Sequence, residues 1–236
     1  MRLDKYLADC GAGTRSEIKK LIRSGRVRVT GTDQLRPETQ VEPGTAEVWL
    51  DGAEVRYRRH IYLLLNKPRG YISATWDARQ PTVLDLVPKE FLHYEPFPAG
   101  RLDVDTEGLC LLTNDGQLAH RLLSPARHVP KTYAARISGV VTEADAAAFR
   151  RGVTLDDSYR TKPAELVILS AGPISEIQVT ITEGKYHQVK RMFEAVGKKV
   201  IYLKRIAMGG LALDPAMAPG DIRELEPEEL SLLENK

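Results

Sequence analysis

The chain has 236 residues, of which 42% are hydrophobic and 28% charged, a composition typical of a globular protein that buries a core. It contains no apolar run near the roughly 20 residues of a membrane-spanning helix, and its start does not read as a secretory signal. Its two cysteines, Cys10 and Cys110, have no second cysteine at metal-ligand spacing, so we expect a reduced, cytoplasmic protein without zinc or structural disulfides.

The charge is unevenly distributed, although the formal net charge is only +2. Basic residues outnumber acidic ones six to one in residues 14–28 and seven to one in residues 184–205. The chain from Asp214 onward is acidic. Two interpretations of these basic patches are equally good. They bind a polyanionic partner such as nucleic acid, or they are ordinary solvated helix faces.

Two short helices and a strand are predicted at the N-terminus. Apolar residues at i, i+3, i+4 and i+7 predict a helix over residues 3–10. Thr14 to Glu17 have the form of a capping box, so a second helix starts there. Residues 26–29 alternate like a strand, and short strands are expected around Val41 and over residues 48–50.

Basic side chains recur every four residues on the second helix, and such a helix can follow a phosphate backbone. A solvated helix face is the alternative. Residues 2–52 resemble the ribosomal protein S-four type (alpha-L) RNA-binding domain, which carries its basic helix and strand in this order. The resemblance implies contacts to structured RNA from Arg15, Lys19, Lys20, Arg23 and Arg28.

The pattern changes to apolar strands after a short polar linker at residues 56–60. Strands are predicted at residues 61–65, 109–113, 132–137, 166–169, 177–181 and 200–203, and helices at 117–123, 143–151 and 187–196. This mixture indicates an α+β fold with a large, mostly antiparallel sheet flanked by helices. We therefore expect a small N-terminal domain, residues 1–59, and a second domain, residues 60–236.

Residues 100–113, Gly-Arg-Leu-Asp-Val-Asp-Thr-Glu-Gly-Leu-Cys-Leu-Leu-Thr, form the most informative stretch. The pattern predicts a loop that begins at Gly100, carries Asp103 and ends at Gly108. A buried strand is predicted to follow directly. Loops held by rigid strands commonly carry catalytic groups. By itself, an aspartate in such a loop is more often a turn-former or an ion-pair partner.

Three segments resemble the motifs of pseudouridine synthases of the ribosomal small-subunit family, in the expected order. Residues 100–113 match Gly-Arg-Leu-Asp-x-x-Thr-x-Gly-Leu without interruption, residues 131–133 match Lys-Thr-Tyr, and residues 183–193 match the third motif. The resemblance covers nearly the whole chain. It implies that Asp103 is the catalytic carboxylate, that Tyr133 stacks on the target uracil, and that a cation of the third motif faces Asp103.

The chemistry of pseudouridine formation suits a single carboxylate. The bond from uracil nitrogen to the sugar breaks, the base turns, and it rejoins through carbon, without redox change or phosphate transfer. We therefore expect no cofactor and no metal, and the sequence contains neither Gly-x-Gly-x-x-Gly nor a P-loop. An ionised carboxylate can attack covalently or stabilise positive charge on the sugar, and both routes stay open.

The carboxylate of Asp103 needs a neighbouring cation, because burial favours the neutral form of an acid. Lys190 and Arg191 lie near the start of a helix predicted to pack on the core. Alignment with the family motif favours Lys190, although other members have arginine there, and binding of phosphate by both side chains is the alternative. Further RNA contacts are expected from Arg101, which would fill the gap left by the flipped base or grip its phosphate, and from His187, Gln188 and Arg191.

Two rival functions and one choice of substrate remain. A non-catalytic RNA-binding assembly factor would predict a damaged site. The second rival is a glycosidase or nucleobase glycosylase; glycosidases usually need two carboxylates, whereas Asp105 lies at a variable place in the motif. Residues 186–191, Tyr-His-Gln-Val-Lys-Arg, resemble enzymes acting on uridine 516 of 16S rRNA; large-subunit (23S) relatives tend to have Asn-Arg-Gln-Val-Arg-Arg. We expect a monomer that binds 16S rRNA, naked or in an assembling small subunit, and no membrane.

Overall fold

The computed structural model of the protein describes residues 1–124 and 126–234. Backbone contacts divide the chain into two compact units. The first contains residues 1–61 and 87–96, and the second contains residues 62–86 and the described residues from 97 onward. No helix in the described part of the chain combines the length and the apolar character needed to cross a membrane.

The first unit combines small helices with a three-stranded antiparallel sheet. Its elements are α1 (Leu3–Asp9), α2 (Arg15–Arg23), β1 (Val27–Val29), β2 (Val48–Leu50), β3 (Ala53–Glu54) and α3 (Lys89–Leu92). The predicted capping box is confirmed, because Thr14 Oγ1 accepts from the Glu17 amide and the Glu17 carboxylate accepts from the Thr14 amide. The short strand predicted around Val41 is reduced to an isolated antiparallel β-bridge between Gln40 and Arg2. Val41 itself is buried, and its amide bonds to the Met1 carbonyl outside any strand.

The second unit is a large sheet with helices. Its elements are β4 (Tyr62–Lys67), β5 (Phe97–Pro98), β6 (Glu107–Thr113), α4 (Gly116–Leu123), β7 (Lys131–Ser138), α5 (Glu143–Arg151), β8 (Glu165–Ser170), β9 (Ile174–Ile181), α6 (Gln188–Ala195), β10 (Lys199–Met208), β11 (Leu211–Ala212), β12 (Ile222–Glu224) and α7 (Pro227–Glu234). A short 3-10 helix covers Val83–Leu86.

The strands of the second unit form one nine-stranded sheet within the described residues. The main path runs β12-β4-β6-β10-β7-β9-β8, with β11 beside β10 and β5 beside β6. Only the pairing of β6 with β10 is parallel among the described strand pairs. The expected α+β fold with a mostly antiparallel sheet is therefore confirmed.

A buried apolar core joins the central strands to the helices of the second unit. Leu64 of β4 and Leu109 and Leu111 of β6 pack with Leu118 and Leu122 of α4. Removing this apolar surface from water is the main source of the unit's stability. The sheet therefore gives the loop that precedes β6 a rigid base.

Candidate active site

The backbone of the loop that carries Asp103 is bonded to the side chain of Lys67, the last residue of β4. Lys67 is fully buried, and its Nζ donates to the carbonyls of Pro68, Asp103 and Thr106 at 3.1, 3.1 and 2.8 Å. Burial lowers the pKa of Lys67 to about 8. Sequence reasoning missed this residue, because a lysine at the end of an apolar strand gives no sign that its head group turns inward.

Gly108 fixes the position at which this loop enters β6. Its φ is +100°, and a Cβ built on it would lie 2.2 Å from the Arg205 carbonyl oxygen. These two residues are register partners in the parallel pairing of β6 with β10. Glycine is therefore required here both by the backbone conformation and by the close approach of β10.

Asp103 and Lys190 are in direct contact. Lys190 lies in the first turn of α6, and its Nζ is 2.9 Å from Asp103 Oδ2. His187 approaches the other oxygen, with Nε2 3.5 Å from Asp103 Oδ1. Of the two cations left open by the sequence, Lys190 is the one that contacts Asp103.

Arg191 faces another pair of carboxylates. Its guanidinium bonds to Asp156, and its Nη2 lies 2.8 Å from Asp157 Oδ2. Both aspartates are exposed. The hydrogen bonds to Asp157 and Asp156 raise the pKa of Arg191. The expected contact of Arg191 with RNA stays a prediction.

Asp105 shares the ammonium of Lys190. Lys190 Nζ lies 2.6 Å from Asp105 Oδ1 as well as 2.9 Å from Asp103 Oδ2. Burial alone would lower the pKa of Lys190, but its hydrogen bonds to Asp105 and Asp103 outweigh it and the pKa is raised. For Asp105, burial is likewise outweighed by the bond from Lys190, and its pKa is lowered. Sequence reasoning missed this second carboxylate contact.

The loop before α6 is held by a buried Glu183–Gln188 pair. Gln188 Nε2 donates to Glu183 Oε1 at 2.8 Å, and Gln188 Oε1 accepts from the Lys185 amide at 2.9 Å. Glu183 also accepts from the Tyr159 hydroxyl at 2.7 Å. The structure therefore gives the buried Gln188 side chain a role in shaping the loop, and its expected RNA contact stays a prediction.

His187 ends this loop in a left-handed backbone conformation, with φ of 47°. Its ring stacks on that of Tyr186, with centroids 3.8 Å apart and planes at 18°. Tyr186 is 71% exposed, so the stacked pair extends from Asp103 to solvent.

An open pocket brings six of the predicted site residues together. It is lined by residues from the loop before β6, from β7, β9 and β10, and from the start of α6, among them Arg101, Asp103, Tyr133, His187, Gln188 and Lys190. Tyr133 is buried on β7, opposite Val179 and Arg205 in the sheet, and Arg101 is exposed. The pocket thus offers a carboxylate, a cation, a flat ring and an exposed guanidinium to one substrate group.

The basic side chains predicted to bind RNA in the first unit lie on its surface. Arg15, Lys19, Lys20 and Arg23 are exposed on α2, while Ile18 and Ile22 of the same helix are buried. Arg28 is exposed on β1, and its guanidinium lies 5.2 Å from the centre of the Trp49 ring. Within the described residues, no group of three or more His, Cys, Asp or Glu side chains is arranged to hold a metal.

Two family models match the chain. Residues 61–195 match the RNA pseudouridylate synthase family, and residues 1–46 match the S4 domain. The chain belongs to the RNA pseudouridylate synthase family. It is a pseudouridine synthase, an isomerase, with an S4 RNA-binding domain at its N-terminus.

Relatives of this synthase match it along almost its whole length. An uncharacterized RNA pseudouridine synthase of Bacillus subtilis (strain 168), YtzG, is 53% identical over 99% of this chain and 98% of the relative. The ribosomal small subunit pseudouridine synthase A of Escherichia coli (strain K12) is 40% identical over 98% of this chain and 99% of the relative. A solved pseudouridylate synthase has 37% identity and a TM-score of 0.69, covering 99% of each chain.

Proposed function

We propose that this synthase converts uridine 516 of 16S rRNA to pseudouridine, as a cytoplasmic monomer that acts on naked rRNA or on an assembling small subunit. Relatives named ribosomal small subunit pseudouridine synthase A, at about 40% identity over the full length, support a small-subunit target. The Tyr-His-Gln-Val-Lys-Arg sequence at residues 186–191 supports the same choice. A single structural observation carries the catalytic proposal, namely the 2.9 Å contact of Lys190 with Asp103 in an open pocket.

In this proposal Asp103 acts on the sugar of a uridine that has swung out of its RNA. The bond from N1 to C1′ breaks, the uracil rotates, and a bond forms from C5 to C1′. C5 then loses its proton and N1 gains one, so the product is an isomer of the substrate. The Asp103 carboxylate either bonds to the sugar transiently or stabilises its developing positive charge.

Lys190 places a positive charge beside the Asp103 carboxylate within the pocket. Its ammonium lies 2.9 Å from Oδ2 and holds this oxygen in position by a charge-assisted contact. Because Lys67 and Gly108 hold the surrounding backbone, the carboxylate is oriented before the substrate arrives. Electrostatic preorganisation of this kind is commonly the largest contribution to enzymatic rate.

The remaining pocket residues bind the RNA in this proposal. Tyr133 stacks on the extruded uracil. Arg101 fills the gap that the flipped base leaves in the RNA or binds the phosphate of the flipped nucleotide. His187, Gln188 and Arg191 contact the nucleotides around the target. Arg15, Lys19, Lys20, Arg23 and Arg28 bind structured RNA from an N-terminal domain that comprises residues 1–59, and residues 60–236 form the catalytic domain.

Mapping of pseudouridines in rRNA tests the proposed substrate. RNA from cells lacking the protein is compared with RNA from the same cells carrying the wild-type gene or an Asp103→Asn variant. We expect pseudouridine at position 516 of 16S rRNA only with the wild-type gene. Loss of a 23S site instead would show a large-subunit enzyme, and an unchanged rRNA map would favour a non-catalytic assembly factor.

A further inference from the structure

Trp76 is the most exposed large hydrophobic side chain among the described residues, at 77%. A single exposed apolar residue is ordinary on a protein surface. What distinguishes Trp76 is the loop that carries it, residues 73–81, which is attached at its base to the loop that carries Asp103.

The base of the Trp76 loop is tightly closed. Ile72 donates its amide to the Pro81 carbonyl and accepts from the Val83 amide, both at 3.0 Å. The buried Ser73 hydroxyl accepts from the Leu102 amide and donates to the Leu102 carbonyl, both at 3.0 Å. Three residues before Ser73, the Gly70 amide donates to the Val104 carbonyl at 2.7 Å. The segment is therefore bonded to the residues on both sides of Asp103.

The tip of the same loop has a fixed turn. Asp77 Oδ1 accepts from the amides of Arg79 and Gln80, at 2.8 and 2.9 Å. An aspartate that bonds its own following backbone in this way shapes a turn. Trp76 directly precedes this turn, and its indole ring faces solvent. A rigid aromatic side chain loses little conformational entropy when it binds.

The distance from Trp76 to the site is short on the scale of an RNA strand. Three residues span at most about 10 Å, and the Ser73–Leu102 contact leads directly to Asp103. The Cα atoms of Trp76 and Asp103 are thus within about 20 Å, roughly six nucleotide steps of a stacked strand. Arg69 on the same segment and Arg79 on the loop are exposed cations that can bind the phosphates of such a strand.

We infer that Trp76 stacks on an unpaired base that flanks the target uridine in the substrate RNA. The inference rests on the proposed function for the identity of the RNA. An indole face can stack on any unpaired base within that distance of the target, because every base has a flat π-face. Trp76 thereby holds the flanking strand while Asp103 acts on the flipped nucleotide.

Binding measurements on the full chain test this inference, with transcripts of 16S and 23S rRNA as probes. The chain has only two tryptophans, so a Trp49→Phe variant leaves Trp76 as the sole indole. We expect the target transcript to quench its fluorescence. We expect Trp76→Ala to raise the dissociation constant about 5-fold or more and Trp76→Phe to restore most of the affinity. Leu169→Ala, which removes a side chain 56% exposed on β8, is the matched control and should bind as wild type.

The inference is overturned if the transcripts leave the Trp76 fluorescence unchanged, or if folded Trp76→Ala binds as tightly as wild type. The fluorescence arm needs no substitution at Trp76, so it decides the question even if that variant fails to fold. Failure of the proposed function is seen separately, as an absence of pseudouridine in either transcript after treatment with wild-type enzyme.

Discussion

Lys190 Nζ lies 2.9 Å from Asp103 Oδ2, joining the first turn of α6 to the loop before β6. The side chains are 19% and 26% exposed, so the pair is shielded from water yet open to a substrate. A charge pair in such a place interacts more strongly than one on the surface, and loss of one partner leaves the other poorly solvated. The contact therefore makes Lys190 the cation that positions the Asp103 carboxylate in the pocket.

Replacement of Lys190 should slow catalysis strongly. A Lys190→Met variant leaves two neighbouring carboxylates without their shared cation, so we expect the single-turnover rate to fall about 100-fold or more. Lys190→Arg keeps the charge and should retain more activity. Arg150→Met is the matched control, because Arg150 is an exposed cation on α5 whose partner Glu143 is also exposed. Equal rates for Lys190→Met and Arg150→Met would contradict the role of Lys190.

Asp105 should matter much less than Asp103. In an Asp105→Asn variant Lys190 still contacts Asp103, and only the ion pair between Lys190 and the half-exposed position 105 is lost. We expect less than about a 10-fold loss in single-turnover rate, since one partly exposed ion pair contributes little. A loss as large as that caused by Asp103→Asn would mean that the two carboxylates act as a unit.

The buried Lys67 predicts a pH dependence of stability. Its pKa is about 8 in the folded chain, below the ordinary 10.5, because burial disfavours the ammonium. Between these values the unfolded chain holds a proton that the folded chain has lost, so the free energy of unfolding rises with pH. Relative to Lys67→Met, wild-type stability should increase from pH 8 to 10 by up to about 1 kcal/mol per pH unit.

Denaturant unfolding at several pH values measures this difference. Arg150→Met serves as the control, since an arginine stays protonated throughout the range and should give no slope of its own. Parallel stability curves for wild type and Lys67→Met would show that Lys67 does not titrate in this window.

Gly108 should not tolerate a side chain. The Cβ of Gly108→Ala would lie 2.2 Å from the Arg205 carbonyl oxygen at a φ that alanine rarely adopts. We expect a loss of about 2 kcal/mol or more in the free energy of unfolding, with reduced activity because the Asp103 loop shifts. Gly116→Ala is the control, as it meets no atom within 4 Å at the start of α4 and should be neutral or slightly stabilising.

Local patterns predicted most of the fold. The capping box at Thr14 correctly predicted the start of α2. The apolar spacing after Gln188 correctly predicted α6, the helix that carries Lys190. These signals depend on residues that are near in sequence, so they are visible without a structure. The irregular path at Val41 depends on a bond to Met1, which no local pattern records.

The candidate site was predicted in part, for the same reason. The family motifs pointed to Asp103, Tyr133 and Lys190, which the structure brings to one pocket. The contact of Asp105 with Lys190 and the three carbonyls bound by Lys67 arise only when distant segments meet. These contacts depend on burial and on three-dimensional geometry, which a local sequence pattern does not reveal.

The role of the Asp103 carboxylate is tested most directly by single-turnover pseudouridine formation in a 16S rRNA transcript. An Asp103→Asn variant keeps the shape of the side chain but removes its charge. We predict no detectable pseudouridine with this variant, RNA affinity nearly equal to wild type, and clear activity in the matched Asp105→Asn variant. Pseudouridine formation by Asp103→Asn at a rate close to wild type would contradict the assignment.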